Sequence, residues 1–508
     1  MSLRHERPLI LLYNPKVALP GYQRLPHSLL QLGTLLEGRY PYAIVDGNLD
    51  QERDRAAEIV AQVRRDGVRY LGVTIMPGPQ LQQAVPDIKR IKAACPDLTI
   101  VVGGYFPTNH PNTCACDPAI DYVVLSAGED TLLELVDTLE SGGDPRAVAG
   151  LAFERDGQVV RTPKRAPHHP DELPWFPYQR VPVERYISKT HLGTRTLSHH
   201  SSFGCPFFCN FCAVVNLAEG RWMAESAERL GELMQFMVDR WQINAMEFHD
   251  NNFFTAEKRV AGFCEELLRR GMGVRGCTPL HWWGEGRIDT MLRFSSSTWE
   301  LMRDSGLKMV FMGAESGDDH TLELMNKGGT LTADKTLEMA AHAYRYGIVP
   351  EFSFILGNPP DSQADVRRGI EFIRKVKAIN PHVEIIMYRY DPVPLAGQMW
   401  QGALDAGFRF PQTLDEWIDP HWERVQLRRS ADIPWFSQDE RQLMRDFETV
   451  LNAYYPTTTD RRLHGGIWRP LLRALSGWRY RRRVYRWPVE LRAMQHMMRY
   501  QRPETSGF

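Results

Sequence analysis

The chain has 508 residues, 43% of them hydrophobic, more than one core usually holds, so two or three domains are expected. A net charge of -1 gives no overall pull toward nucleic acid, and no nucleic-acid partner is expected. No uncharged apolar stretch approaches the ~18 residues of a membrane span, the polar start 1–7 and brief apolar run 9–13 make no secretory core, and unpaired thiols suit the reducing cytoplasm.

From the N-terminus, short aliphatic runs at 9–13, 70–74, 99–102 and 122–125 read as strands buried on both faces of a parallel sheet. Between them, 54–66 carries Ala57, Ile59, Val60 and Val63 on one stripe and 80–95 carries Leu81, Val85, Ile88 and Ile91, as amphipathic helices do. Strand and helix in alternation predict a doubly wound, Rossmann-like α/β domain whose ligand crevice lies beyond the carboxyl ends of the strands. The loops there are glycine-rich, at Met76-Pro77-Gly78-Pro79, at Gly103-Gly104 and at Ala127-Gly128-Glu129, which lets backbone approach a bulky ligand. No GxGxxG follows the first strand, where Asn14-Pro15-Lys16-Val17 stands, and this argues against a dinucleotide.

The region is similar to the cobalamin-binding domain that precedes many radical SAM domains. The resemblance implies a cobalamin held by Asn14, Pro15, Asp46, Gly47, Asn48, Thr74, Pro77, Gly103, Gly104, Gly128 and Glu129. One departure stands out. The family's DxHxxG histidine is missing from Asp46-Gly47-Asn48-Leu49-Asp50, so the lower cobalt ligand is expected to be water, another side chain or nothing. A scaffold domain that binds no corrinoid is the alternative.

Residues 144–190 read as a linker. A hairpin-like piece at 151–160 turns at Asp156-Gly157, and Pro163, Pro167, Pro170, Pro174 and Pro177 then exclude regular helix. The expected domains are 1–143, the 144–190 linker, 191–407 and 408–508.

Near 196–202 the alternation resumes and delivers the chain to Gly204-Cys205-Pro206-Phe207-Phe208-Cys209-Asn210-Phe211-Cys212. This CxxxCxxC spacing puts three thiolates on one short loop. A closed zinc site wants four ligands, whereas a cubane iron–sulfur cluster on three thiolates keeps one iron open. Buried reduced cysteines and a zinc module are the alternatives, but three of eight cysteines falling within eight residues, flanked by Gly204 and Pro206, suit a ligand loop better. Cys95, Cys114, Cys116, Cys264 and Cys277 show no comparable arrangement.

The arrangement resembles the signature of the radical SAM enzymes, in which S-adenosylmethionine chelates the open iron and is cleaved to a 5′-deoxyadenosyl radical. Four later segments, 245–254, 284–289, 310–317 and 352–360, resemble the family's motifs in order, and 385–394 resembles its last strand. The resemblance implies a 4Fe-4S cluster on Cys205, Cys209 and Cys212, and S-adenosylmethionine contacts from Phe211, Asp250, Asn251, Asn252, Arg287, Glu315, Ser316 and Gly357. Arg287 reads equally as a ligand of the S-adenosylmethionine carboxylate or as half of a structural ion pair. About six strand–helix units make a partial (β/α)6 TIM-type barrel with its chemistry at the carboxyl rim. His281, Trp282, Trp283, Arg389 and Tyr390, near expected strand ends, are candidates to line a substrate pocket.

The remainder reads as helical, with a clear amphipathic stretch at 443–451. From 461 onward twelve arginines stand against two glutamates, interleaved with Trp468, Trp478, Tyr480, Tyr485, Trp487 and Tyr500. Packing on the barrel and a peripheral contact with an anionic lipid surface are both open.

The resemblance covers roughly residues 8–400 and points to the class B radical SAM methylases and the anaerobic magnesium-protoporphyrin monomethyl ester cyclase. It implies a cytoplasmic, cobalamin-dependent enzyme that methylates an unactivated carbon of a small-molecule or lipid-like substrate, with electrons from a flavodoxin or ferredoxin. A radical oxidative cyclase or rearrangement enzyme, and a non-catalytic corrinoid or iron–sulfur carrier or sensor, are the alternatives. No catalytic residue is assigned.

Overall fold

A computed structural model describes residues 9–18, 23–327, 329–395, 397–422, 433–464 and 467–500. The polar start 1–7 lies outside them. The chain divides into two compact units that are not contiguous in sequence. The first comprises Met1–Ile187, Ala213–Ala224 and Phe410–Leu427; the second comprises Ser188–Cys212, Glu225–Arg409 and Arg428–Phe508.

The first unit is built on a seven-stranded sheet. Its strands are β1 (Leu9–Asn14), β2 (Tyr42–Asp46), β3 (Val68–Thr74), β4 (Thr99–Gly103), β5 (Tyr122–Val124), β6 (Leu151–Arg155) and β7 (Gln158–Arg161), in the order 2-1-3-4-5-6-7. Strands 1 to 5 are parallel and the last two antiparallel. The parallel run 2-1-3-4-5 is a doubly wound order whose topological switch point lies between β1 and β3. Its helices α1 (His27–Leu36), α2 (Arg55–Asp66), α3 (Pro79–Ala94) and α4 (Glu129–Glu140) alternate with the strands. The Asp54 side chain caps α2, accepting from the Ala57 N–H, and Gly67 ends it in the left-handed region. Leu11, Ile59, Leu81 and Ile88 fill the core on one face, and Ile10, Leu12, Leu29 and Leu135 that on the other. Each such side chain contributes about 1.5–3 kcal/mol by leaving water.

Two findings depart from the linear reading. The proline-dense stretch is part of this unit: its hairpin forms β6 and β7, short 3₁₀ turns follow, and Tyr178, Val183 and Tyr186 are buried. Lacking amide hydrogens, the prolines forbid helix but not packing. Part of the C-terminal region also joins it, where Leu414 and Trp417 enter the core beside Phe106 and the Gln82 amide donates to the Trp417 carbonyl.

The second unit carries a six-stranded parallel sheet: β8 (Thr196–His199), β9 (Ala245–Phe248), β10 (His281–Gly286), β11 (Leu307–Glu315), β12 (Val349–Leu356) and β13 (Glu384–Arg389). Each strand pairs with the next in sequence, and α5 (Ala227–Trp241), α6 (Glu257–Arg269), α7 (Ser296–Asp304), α8 (Ala333–Tyr346) and α9 (Ser362–Ile379) make the crossovers, the pattern of a partial barrel. Alternation sorts the side chains. Phe248 and Trp282 pack outward with Phe253 and Phe263. Trp283, pointing the other way into the concave face, donates its indole N–H to Glu351 across the intervening β11 at 3.2 Å.

The last helices, α10 (Gln438–Tyr454), α11 (Arg469–Arg482) and α12 (Val489–Met497), belong to this unit. A capping box of Ser437 and Glu440 starts α10. Arg374 of α9 anchors the layer, donating to the Tyr480 carbonyl at 2.6 Å and to the Tyr485 hydroxyl at 2.7 Å.

Candidate functional site

In the first unit, the loops after β1, β2 and β3 are tied into one wall. Asp46 Oδ1 accepts from the Asn14 amide (3.1 Å), the Asn48 N–H (2.9 Å) and the Asn48 amide (2.9 Å), while the Tyr186 hydroxyl donates to Oδ2 (2.7 Å). Burial raises the Asp46 carboxyl above its usual range, with these donors working against it. Asn48 Oδ1 accepts from the Val17 and Ala18 N–H groups at 2.8 and 2.9 Å. Both ends of the Asn48 amide are thus spent on loop structure, so the residue at the family's histidine position is not presented as a metal ligand.

Gly47 sits so close that a Cβ there would lie 2.9 Å from the Lys16 nitrogen. Gly104 has φ +100° and packs against Thr74 and Ile75. Gly103 meets Val124, and Gly128 meets Val124 and Leu32. Pro77 precedes α3, and Glu129 opens α4, its carboxyl raised by burial. Gln80, which the sequence did not single out, joins the first and third loops: its amide donates to Asn14 Oδ1 (2.8 Å) and the Pro15 carbonyl (2.9 Å), and its oxygen accepts the Met76 N–H (2.7 Å). All these residues stand at the carboxyl ends of the strands, around the switch point where doubly wound sheets bind ligands.

In the second unit the cysteine loop is held by a segment far along the chain. The Asn210 N–H donates to the Met325 carbonyl (2.9 Å), its amide to the Leu324 carbonyl (2.9 Å), and the Asn326 amide to the Phe208 carbonyl (2.9 Å). The Cys212 N–H closes a turn on the Cys209 carbonyl at 3.1 Å. None of the three cysteines is in a disulfide; Cys209 is buried and the other two are half-buried. Burial raises the Cys205 thiol, against which the Phe207 N–H, Arg287 and Asn252 favour the thiolate.

Arg287 reaches into this loop. Its Nη1 lies 3.5 Å from Cys209 Sγ and its guanidinium carbon 3.7 Å from the Phe207 ring centre. Its other edge forms a bidentate pair with Asp289 at 3.1 and 2.9 Å, and Nη2 also donates to the Lys327 carbonyl at 2.6 Å. Burial works against both charges, but the pair outweighs it: Arg287 is raised and Asp289 lowered. The structure therefore commits this guanidinium to an ion pair beside the cysteines.

Glu315 is buried and paired to Lys327 Nζ at 2.5 Å, with the ammonium 5.4 Å from the Phe211 ring centre. Gly313 leaves the room: a Cβ there would collide with both charged groups. Ser316 accepts the Asp318 N–H. Asn252 lies beside Cys205, and Asn251 is exposed.

Other residues fall elsewhere. Asp250 is fully buried, its carboxyl raised by burial and bonded to Ser201 at 3.0 and 3.1 Å, with Arg259 also bound to Ser201; it anchors the β9 loop from behind. Gly357 has φ +77°, donates its N–H to Asp365, and is covered by Phe436 and Trp435. Trp282, Arg389 and Tyr390 are buried, and His281 begins its strand, so of the five pocket candidates Trp283 alone is placed on the concave face by its bond to Glu351. His249, Glu247 and Glu285 join it there, with His249 bonded to Glu247 at 3.2 Å and its ring 5.1 Å from Trp283. The alternation of β9 and β10 held the signal for these three.

Among the described residues no three His, Cys, Asp or Glu side chains converge on a single ion position. A closed zinc site requires that convergence; a cubane takes each thiolate on a different iron and does not. Three cysteines on one loop with a buried guanidinium beside them fit the cluster. Among the described residues, too, no helix is long and apolar enough to cross a membrane.

Comparison with known proteins agrees with this geometry. Residues 26–136 match the B12 binding domain and residues 200–373 the radical SAM superfamily. An uncharacterized methyltransferase of Pyrococcus horikoshii is 26% identical over 353 residues, 69% of this chain and 73% of that protein. The anaerobic magnesium-protoporphyrin IX monomethyl ester cyclase of Rubrivivax gelatinosus is 27% identical over 322 residues, 61% of this chain but only 54% of the cyclase. The radical S-adenosylmethionine methyltransferase TsrM of Kitasatospora setae, solved with cobalamin and a 4Fe-4S cluster, shares the fold at a TM-score of 0.66 and 17% identity, covering 97% of this chain and 98% of TsrM. The chain thus carries a B12 binding domain followed by a radical SAM domain.

Proposed function

We propose that the enzyme methylates an unactivated carbon of a small molecule, drawing on a 4Fe-4S cluster, S-adenosylmethionine and cobalamin in the reducing cytoplasm. The observation that carries this reading is the loop of Cys205, Cys209 and Cys212 beside buried Arg287, in a chain that also has a B12-binding domain. When bound, cluster and S-adenosylmethionine supply a 5′-deoxyadenosyl radical that abstracts hydrogen, and the corrinoid supplies the methyl group.

The chain's own part is placement. Cys205, Cys209 and Cys212 would hold the cluster through their thiolates. Arg287 offsets the thiolate charge, and the 324–326 carbonyls and amide fix the loop. The Glu315–Lys327 pair and Phe211 present a mixed polar and aromatic edge near the loop, suited to S-adenosylmethionine. On the concave face, Glu247, Glu285 and Glu351 accept hydrogen bonds beside Trp283, which favours a substrate with N–H or O–H donors on an apolar frame. In the first unit, the Asn14, Thr74 and Gly104 loops would hold the corrinoid, and Asn48, at the family's histidine position, keeps its amide on loop structure. Electrons come from a flavodoxin or ferredoxin.

Oxidative cyclisation without methyl transfer is the second reading, favoured by the similarity to the Rubrivivax cyclase. Anaerobic reconstitution with iron, sulfide and hydroxocobalamin, then turnover with cell extract, distinguishes them. A product heavier by one methyl group supports methylation. Loss of hydrogen or gain of water-derived oxygen overturns it in favour of the cyclase reading.

A further inference from the structure

The C-terminal layer turns an apolar stripe outward. In α11, Leu472, Ser476, Gly477 and Tyr480 face inward, and Gly477 brings the helix so close to α10 that a Cβ would lie 2.7 Å from the Tyr454 ring. That contact fixes which face is left over. It carries Ile467, Leu471, Ala474 and Trp478, spaced three to four apart, and Trp468, Val484, Trp487 and Val489 in the same layer are exposed as well. Ile467 is 87% exposed, Trp487 65%, Val489 63% and Trp478 53%; globular helices turn such residues inward. Scattered apolar residues on a surface need no explanation, but seven large exposed ones within 467–489 mark an interaction site.

Charge selects the occupant. Between 467 and 500 there are nine arginines and one acidic residue, Glu490, although the whole chain carries only -1. Arg479 is held by Glu490, Arg492 by Asp446 and Arg483 by Glu371. Arg473, Arg481, Arg482 and Arg486 are exposed in this layer, and Asp439 stands 3.9 Å from Arg486. Tryptophan with aliphatic side chains, rimmed by arginine, matches the boundary between acyl chains and anionic headgroups. A nucleic acid would leave Ile467, Leu471 and Val489 without apolar contact.

We infer that this surface docks the enzyme on an anionic lipid bilayer, with the α11 stripe at the headgroup level and the arginines on the phosphates. The inference does not rest on the proposed reaction, because vesicle binding needs neither cluster nor corrinoid. The test is co-sedimentation of the full chain with vesicles of phosphatidylcholine alone and with 30% phosphatidylserine, at low and high salt.

At low salt, at least tenfold more protein should sediment with the anionic vesicles than with the neutral ones, and high salt should remove most of that excess. W478A/W487A and R481E/R482E, all at exposed positions, should each lower binding about tenfold while keeping the thermal transition. R64E/R65E, on exposed α2 positions, should bind as the parent does. Sedimentation without vesicles would point to a second copy of the chain as the occupant and overturn the inference. Equal binding to neutral and anionic vesicles, or no loss in either double variant, would overturn it as well.

Discussion

Replacing Arg287 by methionine keeps a side chain of similar reach and removes the charge, which isolates what the guanidinium does. In the folded protein it has a bidentate bond to Asp289, a bond to the Lys327 carbonyl, the Phe207 ring under its plane and Cys209 Sγ at 3.5 Å. The Asp289 side chain is only 1% exposed, so the variant leaves a buried carboxylate with Thr330 as its hydroxyl partner. Removing one member of such a pair costs about 3–5 kcal/mol, and the lost contact over Phe207 adds about 1–2. Urea unfolding of the cofactor-free chain at pH 7 should show that loss. Asp289→Asn in the same chain should restore most of it, because the stranded charge is then gone.

The pH dependence has a definite sign. Asp289 is lowered in the fold, so the pair's contribution is present above the unfolded value near pH 4 and disappears as pH falls through the lower folded value. The gap between parent and Arg287→Met should therefore narrow in acid. A loss under about 1 kcal/mol at pH 7, or a double variant no better than the single, would refute the argument that Arg287 is a buried structural cation positioning the cysteine loop.

Asn48→Ala releases the Val17 and Ala18 N–H groups and should cost about 1–3 kcal/mol, together with weaker retention of hydroxocobalamin measured by absorbance after gel filtration. Unchanged retention would remove this wall from the corrinoid site. Gly313→Ala drives a methyl group into the Glu315–Lys327 pair and should destabilise by about 1–3 kcal/mol in thermal unfolding; a neutral result would mean the pair is not seated there. Burial pushes Glu384 up to about 7, with Asp460 adding to the shift and Thr459 donors opposing it. A raised carboxyl contributes fully below its unfolded value near 4 and loses that contribution as pH rises through 7, by up to about 3 kcal/mol. Glu384→Gln should thus gain stability over the parent between pH 5 and 8, and parallel profiles would contradict this.

The parts of the fold legible in the sequence were those with short-range signals. Runs such as 9–13 and 100–102 are apolar because both faces of a parallel strand are buried, and β1 and β4 lie there. The cysteine loop stood out because three of the eight cysteines fall within eight residues. What escaped depends on distant partners. The proline-dense stretch reads as a connection until Tyr186 is seen bonded to Asp46, 140 residues away. Gly284 and Gly286 look like a loop after a strand, yet they lie within β10, where the Phe254 ring presses so close that a Cβ at Gly286 would come within 2.8 Å. That shift of register sends Trp282 outward and Trp283 inward. Asp250 looked like a partner for an ammonium group, but nothing local reveals that Ser201 and Arg259 enclose it.

The most direct test is iron and sulfide content with electron paramagnetic resonance on the anaerobically reconstituted chain, beside a variant in which Cys205, Cys209 and Cys212 are all alanine. The parent should bind about four irons and, once reduced, give a cluster signal that S-adenosylmethionine perturbs, while the variant should bind almost none. An intact cluster signal in the variant, or a parent that takes up zinc and stays colourless, would contradict the account at its root.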